Sequence, residues 1–118
     1  MNFIINLLEL IHNDDIVNVS KLLTILNRGL ECFPLGASII PLYIIAVTVH
    51  YDQSGEDLSL KVLYSTINKF SSVGVKNHLK QLHEKGWVEI KDSENDGRVK
   101  VVRGTKKLHA TFLRVFNV

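Results

Sequence analysis

The sequence predicts a mainly α fold with one small β-hairpin, an α+β arrangement within a single domain spanning residues 1–118. Three observations predict it. Apolar residues recur at helical spacing through most of the chain. The stretch ENDGRVKVV sets a turn signal before an extended run near the C-terminal end. Finally, 46% hydrophobic content over 118 residues is enough for one core, though a chain of this size gains from a partner.

Each element follows from local chemistry. Residues 2–12 carry Phe3, Ile4, Leu7, Leu8 and Ile11 at the spacing of a helix face. A second helix follows Asp14-Asp15, which can cap it, and sets Ile16, Val19, Leu23, Leu26, Leu30 and Phe33 on one stripe in alternating steps of three and four. Such a stripe is a short coiled-coil-type seam. Phe33-Pro34-Leu35-Gly36 breaks it. Ser38 is placed to cap a third helix, in which Pro41 falls in the first turn, where its missing N–H costs nothing. Residues 40–50 are almost all apolar, so this helix should be central and buried.

Residues 52–57 are polar, contain Gly55 and read as a loop. Leu58-Ser59-Leu60 suits a short strand, with Ser59 also placed to cap a helix running to about Ile67. Asn68-Lys69-Phe70-Ser71 is a turn, and Ser71 or Ser72 caps the next helix, which ends at Lys85 with Gly86 as its left-handed stop. Strands over 87–91 and 99–102 flank Asp96-Gly97, a two-residue reversal in which glycine supplies the positive φ. Thr105 caps a last helix with Leu108, Phe112 and Phe116 on one face.

Charge is divided along the chain. Residues 1–60 hold two cations and seven anions, whereas residues 61–118 hold twelve cations and five anions. One reading is a chance clustering of solvated charges; the other is an associating half joined to a half that meets a polyanion. The only cysteine, Cys32, excludes an intramolecular disulfide and fits a reducing compartment. Its apolar neighbourhood, with no activating cation, favours a structural role over redox sensing. The N-terminal run lacks a basic start and a small-residue cleavage site, and the longest apolar run, residues 39–49, falls short of the about 20 residues a membrane span takes. A soluble, cytoplasmic protein is expected.

Catalytic chemistry is thin. His78 and His83 do not share a helix face and His12, His50 and His109 are scattered, so no metal spacing is present. No nucleophile–base pair, phosphate loop or paired carboxylates stand out, and neither an enzyme nor a cofactor is predicted.

The order helix, helix, turn, helix, hairpin is that of a winged helix-turn-helix, a module whose second helix enters the DNA major groove while the hairpin reaches the backbone or minor groove. Here that helix reads SSVGVKNHLKQLHEKG. Val75, Leu79 and Leu82 make its apolar face. Ser72, Lys76 and Lys80 run along another, with Asn77 beside Lys76: cations for phosphates or guanine edges, an amide suited to adenine, and a small hydroxyl near the helix start. Gly74 in this helix costs about 1 kcal/mol relative to alanine; either it lets the backbone approach a phosphate or it is tolerated near a helix start. A basic exposed face also fits a winged helix that binds protein, or a replication- or nucleoid-type module with nonspecific nucleic-acid binding.

Residues 70–108 resemble the DNA-binding core of the MarR family of regulators and their short SarA-like relatives. The matching features are Ser71 and Ser72 opening the recognition helix, then Val75, the Leu82-x-x-Lys85-Gly86 ending, the strand Trp87-Val88-Glu89 and the wing motif Asp96-Gly97-Arg98. Arg103-Gly104-Thr105-Lys106-Lys107 is similar to the Leu-Thr opening of the family's next helix, with arginine and glycine in place of the usual apolar lead. The resemblance implies a sequence-specific transcription regulator with double-stranded DNA as its partner. With the exposed helix face it gives a DNA contact set of Ser71, Ser72, Lys76, Asn77, Lys80 and Arg98; by the resemblance the last is the wing-tip arginine, which Asp96 can brace by pairing with it. Residues 38–103 then form the DNA-binding core. Residues 1–33 and 105–118 are expected to build a homodimer, because their apolar stripes need a partner and dimeric binders pair half-sites. Small-ligand effectors occur among MarR relatives; no residue pattern here specifies one.

Overall fold

The most apolar stretch of the chain becomes the central helix. The computed structural model describes residues 19–36 and 38–116; the helix predicted over residues 2–12 and the seam position Ile16 lie outside the described residues. In chain order the elements are α1 (Val19–Cys32), α2 (Ile40–Ser54), β1 (Leu58–Ser59), α3 (Leu60–Thr66), α4 (Ser72–Glu84), β2 (Val88–Asp92), β3 (Lys100–Gly104) and α5 (Lys106–Phe116). The mainly α fold with a small sheet is the one the sequence predicts.

Helix α2 has Pro41 in its first turn, and the Ser38 hydroxyl accepts the Ile40 N–H at 3.2 Å. Its residues Ile44, Ile45, Ala46, Thr48 and Val49 are buried, and the one polar side chain among them is satisfied because Thr48 Oγ1 donates to the Ile44 carbonyl at 2.7 Å. Ile44, Ile45 and Val49 share one core with Leu58, Leu63, Val75, Leu79, Leu82, Val102 and Leu108. Each such buried side chain contributes about 1.5–3 kcal/mol. The helix runs beyond the apolar stretch 40–50 into the predicted loop, to Ser54, stopping at Gly55 with φ 72°. Tyr51 and Asp52 are therefore helical, and the predicted loop over 52–57 shrinks to its second half.

The predicted hairpin is part of a three-stranded antiparallel sheet in the order β1-β3-β2, with Leu58 opposite Val102 and Ile90 opposite Val102 on the other side. Ser59 closes β1 and caps α3 at once, its hydroxyl accepting the Val62 N–H at 3.1 Å. Helix α4 ends as predicted, with Gly86 at φ 81°. The Gly86 N–H bonds to the His83 carbonyl at 3.1 Å and the Trp87 N–H to the Leu82 carbonyl at 2.9 Å. This pair of bonds is a Schellman closure. It takes Trp87 out of the predicted strand, which starts at Val88 instead.

The reversal also differs from the two-residue turn expected at Asp96-Gly97. Asp92 pairs with Lys100, so residues 93–99 form the loop, closed by Ser93 N–H to the Val99 carbonyl at 2.8 Å and Val99 N–H to the Asp96 carbonyl at 2.9 Å. Gly97 is not among the glycines with positive φ. The Asp96 carboxylate accepts the Arg98 N–H at 3.0 Å, a side-chain turn that reverses the chain without a left-handed glycine.

Two apolar faces are arranged otherwise than the spacing alone suggested. In α1 the buried positions are Ile25 and Gly29, while Val19, Leu23, Leu26 and Leu30 are exposed; Phe33, beyond the helix end, is buried beside Trp87 with ring centroids 5.7 Å apart. In α5 the inward residues are Leu108, Thr111 and Val115. Phe112 and Phe116 flank them half-buried, their rings 4.5 Å apart.

Candidate nucleic-acid interface

Helix α4 is held by one face and presents the other. Val75, Leu79 and Leu82 are buried at 2–3% exposure, fixing the helix in rotation and register against α2 and the sheet. Ser71 is the N-cap, its hydroxyl oxygen accepting the Gly74 N–H at 3.0 Å, which decides between the two candidate caps and leaves the hydroxyl proton free to donate outward. A Cβ on Gly74 would stand 2.9 Å from the Ser71 hydroxyl and 3.4 Å from Ile40 Cδ1. Glycine therefore leaves room for the cap and for the start of α2, a packing reason that the sequence alone did not disclose.

On the outward side Ser72, Lys76, Asn77 and Lys80 are all exposed. Lys76 Nζ lies 5.7 Å from the ring centre of Tyr64, whose phenol burial pushes above its ordinary pKa, so the ring stays neutral. Lys80 Nζ lies 4.0 Å from Glu84 one turn on, with both side chains more than 60% exposed. Such a pair contributes little and leaves the lysine free to exchange partners. Ser72, Lys76, Asn77 and Lys80 are thus all exposed along α4, and Ser71 stands at its cap. Arg98 belongs to a separate element, the β2–β3 loop.

At that loop Arg98 projects with its side chain 92% exposed, and its Nε donates to Asp96 Oδ1 at 3.2 Å. The same oxygen accepts the Arg98 backbone N–H at 3.0 Å. The backbone bond first, and the guanidinium bond second, hold the Asp96 carboxyl below its usual range. One carboxylate therefore builds the turn and orients the arginine. Behind the loop, Lys100 pairs with Asp92 across the strands, and Lys91 with Glu89 at 3.1 Å along β2.

Two exposed side chains near the start of α4 escaped the sequence reading. Val73 is 67% exposed, and Lys69 sits in the turn before the helix. The signal for Val73 was its phase, since it falls off the Val75, Leu79, Leu82 face; an apolar group at such a position suits a thymine methyl.

Away from this surface, Asp52 Oδ2 accepts the Gly104 N–H at 2.8 Å and lies 2.7 Å from His109 Nε2, while Arg103 pairs with Asp57 at 2.8 Å. These contacts tie the end of α2 to β3 and the start of α5. Among the described residues no group of three or more His, Cys, Asp or Glu could hold a metal ion, and no helix is long and apolar enough to cross a membrane. Cys32 is a free, half-buried thiol packed against the core. A cleft of about 390 Å³ lies between α1, the α1–α2 connection and the end of α5, lined mostly by apolar side chains including Ile25, Leu30, Leu42 and Phe116.

No protein-family profile matches the sequence, and no curated protein matches it. Solved structures do. The chain is similar to the transcriptional regulator BldR from Sulfolobus solfataricus, with 21% identity and a TM-score of 0.58 over 100% of this chain and 79% of that one. It is similar to a MarR mutant from E. coli complexed with operator DNA, with 24% identity and a TM-score of 0.58 over 97% of this chain and 74% of that one. MepR from S. aureus, bound to ethidium bromide, superposes with a TM-score of 0.62 at 14% identity, over 86% of this chain and 70% of that one. The chain accordingly has the winged-helix fold of the MarR-type transcription regulators.

Proposed function

We propose that this chain is a sequence-specific regulator of transcription that binds double-stranded DNA as a homodimer, with α4 in the major groove and Arg98 at the minor groove or backbone. The observation that carries the reading is the two-sided build of α4: three buried aliphatic residues fix it while Ser72, Lys76, Asn77 and Lys80 face outward. Lys76 and Lys80 serve phosphates or guanine edges, Asn77 suits adenine, and the Ser71 and Ser72 hydroxyls suit phosphates at the helix start. Asp96 supports Arg98 at the wing. That a protein of the same fold is complexed with operator DNA supports this reading. The stripe Val19, Leu23, Leu26 and Leu30 supports the homodimer, because it is exposed among the described residues.

The test is selection of genomic duplex fragments by the purified protein, repeated with Arg98→Ala and Asn77→Ala. The wild type should enrich related sites made of two half-sites about one helical turn apart. Arg98→Ala should weaken binding to all of them, whereas Asn77→Ala should relax preference at one base by about 1–3 kcal/mol. Failure to bind any duplex at low salt overturns the proposal, and equal effects of both variants on every sequence overturn the division of roles. Retention without sequence preference points instead to a nonspecific nucleic-acid module.

A further inference from the structure

Among the described residues, some cations pair with carboxylates and others lie over aromatic rings, Lys76 at 5.7 Å from the Tyr64 ring centre and Lys107 at 4.2 Å from that of Trp87. Lys80, Lys91, Arg98, Lys100 and Arg103 each pair with a carboxylate. Lys69 does not. In the turn between α3 and α4, its ammonium donates to the Tyr43 hydroxyl at 3.0 Å and lies 4.5 Å from the Tyr43 ring centre and 5.7 Å from that of Phe70. The two rings meet edge to face with centroids 5.2 Å apart, and both are half-buried against the core, so they form a fixed shelf. An aromatic face attracts a cation through its quadrupole and leaves its net charge uncompensated. A carboxylate cancels that charge. Lys69 is therefore an exposed, oriented and unneutralised cation placed two residues before the Ser71 cap of α4.

From this we infer that Lys69 is a contact for a phosphodiester of the DNA backbone beside the start of α4, and that Tyr43 is the residue that positions it. The inference rests on the reading of α4 as a DNA-contacting helix and deepens it. A phosphate contact fixes the register of the protein on the duplex without reading sequence. The chemistry of an ammonium as a point charge suits that role better than bidentate base recognition.

The experiment measures affinity for a pool of random-sequence duplexes and for a selected site as salt is raised, with wild type, Lys69→Met, Lys69→Arg, Tyr43→Phe and the double variant Tyr43→Phe/Lys69→Met. Thermal unfolding of each variant is recorded alongside. Losing one phosphate contact should flatten the dependence of log affinity on log salt by about 0.9. Lys69→Met should show that change on both DNAs, with affinity reduced about three- to tenfold, an unchanged melting midpoint and unchanged base preference. Lys69→Arg should restore the salt slope. Tyr43→Phe keeps the ring and the charge but removes the hydroxyl; it should lower affinity about two- to threefold at an unchanged slope, and add nothing to Lys69→Met in the double variant. An unchanged salt slope in Lys69→Met, with wild type binding normally, overturns this inference alone. A full additional loss in the double variant overturns the positioning role of Tyr43. A wild type that binds no duplex at low salt overturns the underlying function instead.

Discussion

Asp96 carries two duties on one oxygen, and its chemistry can be read by titration. Hydrogen bonds from the Arg98 backbone and side chain favour the charged carboxylate, so its folded pKa lies below the ordinary value of about 3.9. The sign follows: this stabilisation is complete above the unfolded pKa and is lost as pH falls through the lower folded value. A carboxyl NMR titration should place the Asp96 midpoint below about 3.9. Arg98→Ala should move it only part of the way back, since the backbone bond remains; a midpoint at the ordinary value in the wild type would contradict the turn. A second residue-scale prediction concerns Gly104. A Cβ there would come within 2.6 Å of Leu108 Cδ2 and 2.9 Å of both Asp52 Oδ2 and His109 Nε2. Gly104→Ala should cost about 1–3 kcal/mol in denaturant unfolding through overpacking. An unchanged midpoint would show that the Asp52–His109 contact yields readily. The sequence exposed the Asp96–Arg98 pair because the partners are two residues apart. It hid the Asp52–His109–Gly104 junction, in which Asp52 lies more than fifty residues from Gly104 and His109 and meets them only when α2, β3 and α5 pack together.

At the scale of the element, α4 separates the contribution of a cap from that of a core. Ser71→Ala removes one hydrogen bond to the Gly74 N–H and should cost about 1 kcal/mol. Leu79→Ala empties a site only 3% exposed and should cost about 2–5 kcal/mol. Urea unfolding of both checks the order, and a Ser71→Ala loss as large as that of Leu79→Ala would mean the cap does more than close the helix. Periodicity was enough to find this element, its inward face and its glycine stop, because those are properties of consecutive residues. The hairpin was less legible. Asp96-Gly97 matches a two-residue turn by type, yet a seven-residue loop closes the strands, with the Asp96 carboxylate reversing the chain; at the opposite end of β2 the Schellman closure leaves Trp87 outside the strand.

At the scale of the whole molecule, the described residues leave an apolar stripe on α1 exposed. Val19, Leu23, Leu26 and Leu30 are 44–64% exposed on α1, and Leu113 on α5 is 66% exposed. If a second copy covers them, Leu26→Lys with Leu30→Lys should yield a monomer by sedimentation at micromolar concentration, with chain stability shifted by no more than about 0.5 kcal/mol per site and weakened binding to a two-half-site duplex. A wild type that sediments as a stable monomer at that concentration would remove the homodimer from the proposal. The alternating three-and-four spacing announced a seam in this helix. It could not say whether the seam faced the chain's own core, because a seam facing its own core and one facing a second copy have the same periodicity.

What the sequence determined by itself was the order and kind of the described elements, the caps at Ser59 and Thr105, the stop at Gly86, and the outward set Ser72, Lys76, Asn77 and Lys80 on the helix before a wing; it left the α4 cap open between Ser71 and Ser72. These depend on neighbours within one or two turns, where steric and hydrogen-bonding rules are local. Only the tertiary structure decided that β1 joins the hairpin, that α1 turns Ile25 rather than its leucine stripe inward, that Gly74 clears space for Ile40, and that Lys69 rests on Tyr43 and Phe70. Each of those is a meeting of segments far apart in the chain, fixed by which surfaces can be buried together, and local spacing carries no record of it.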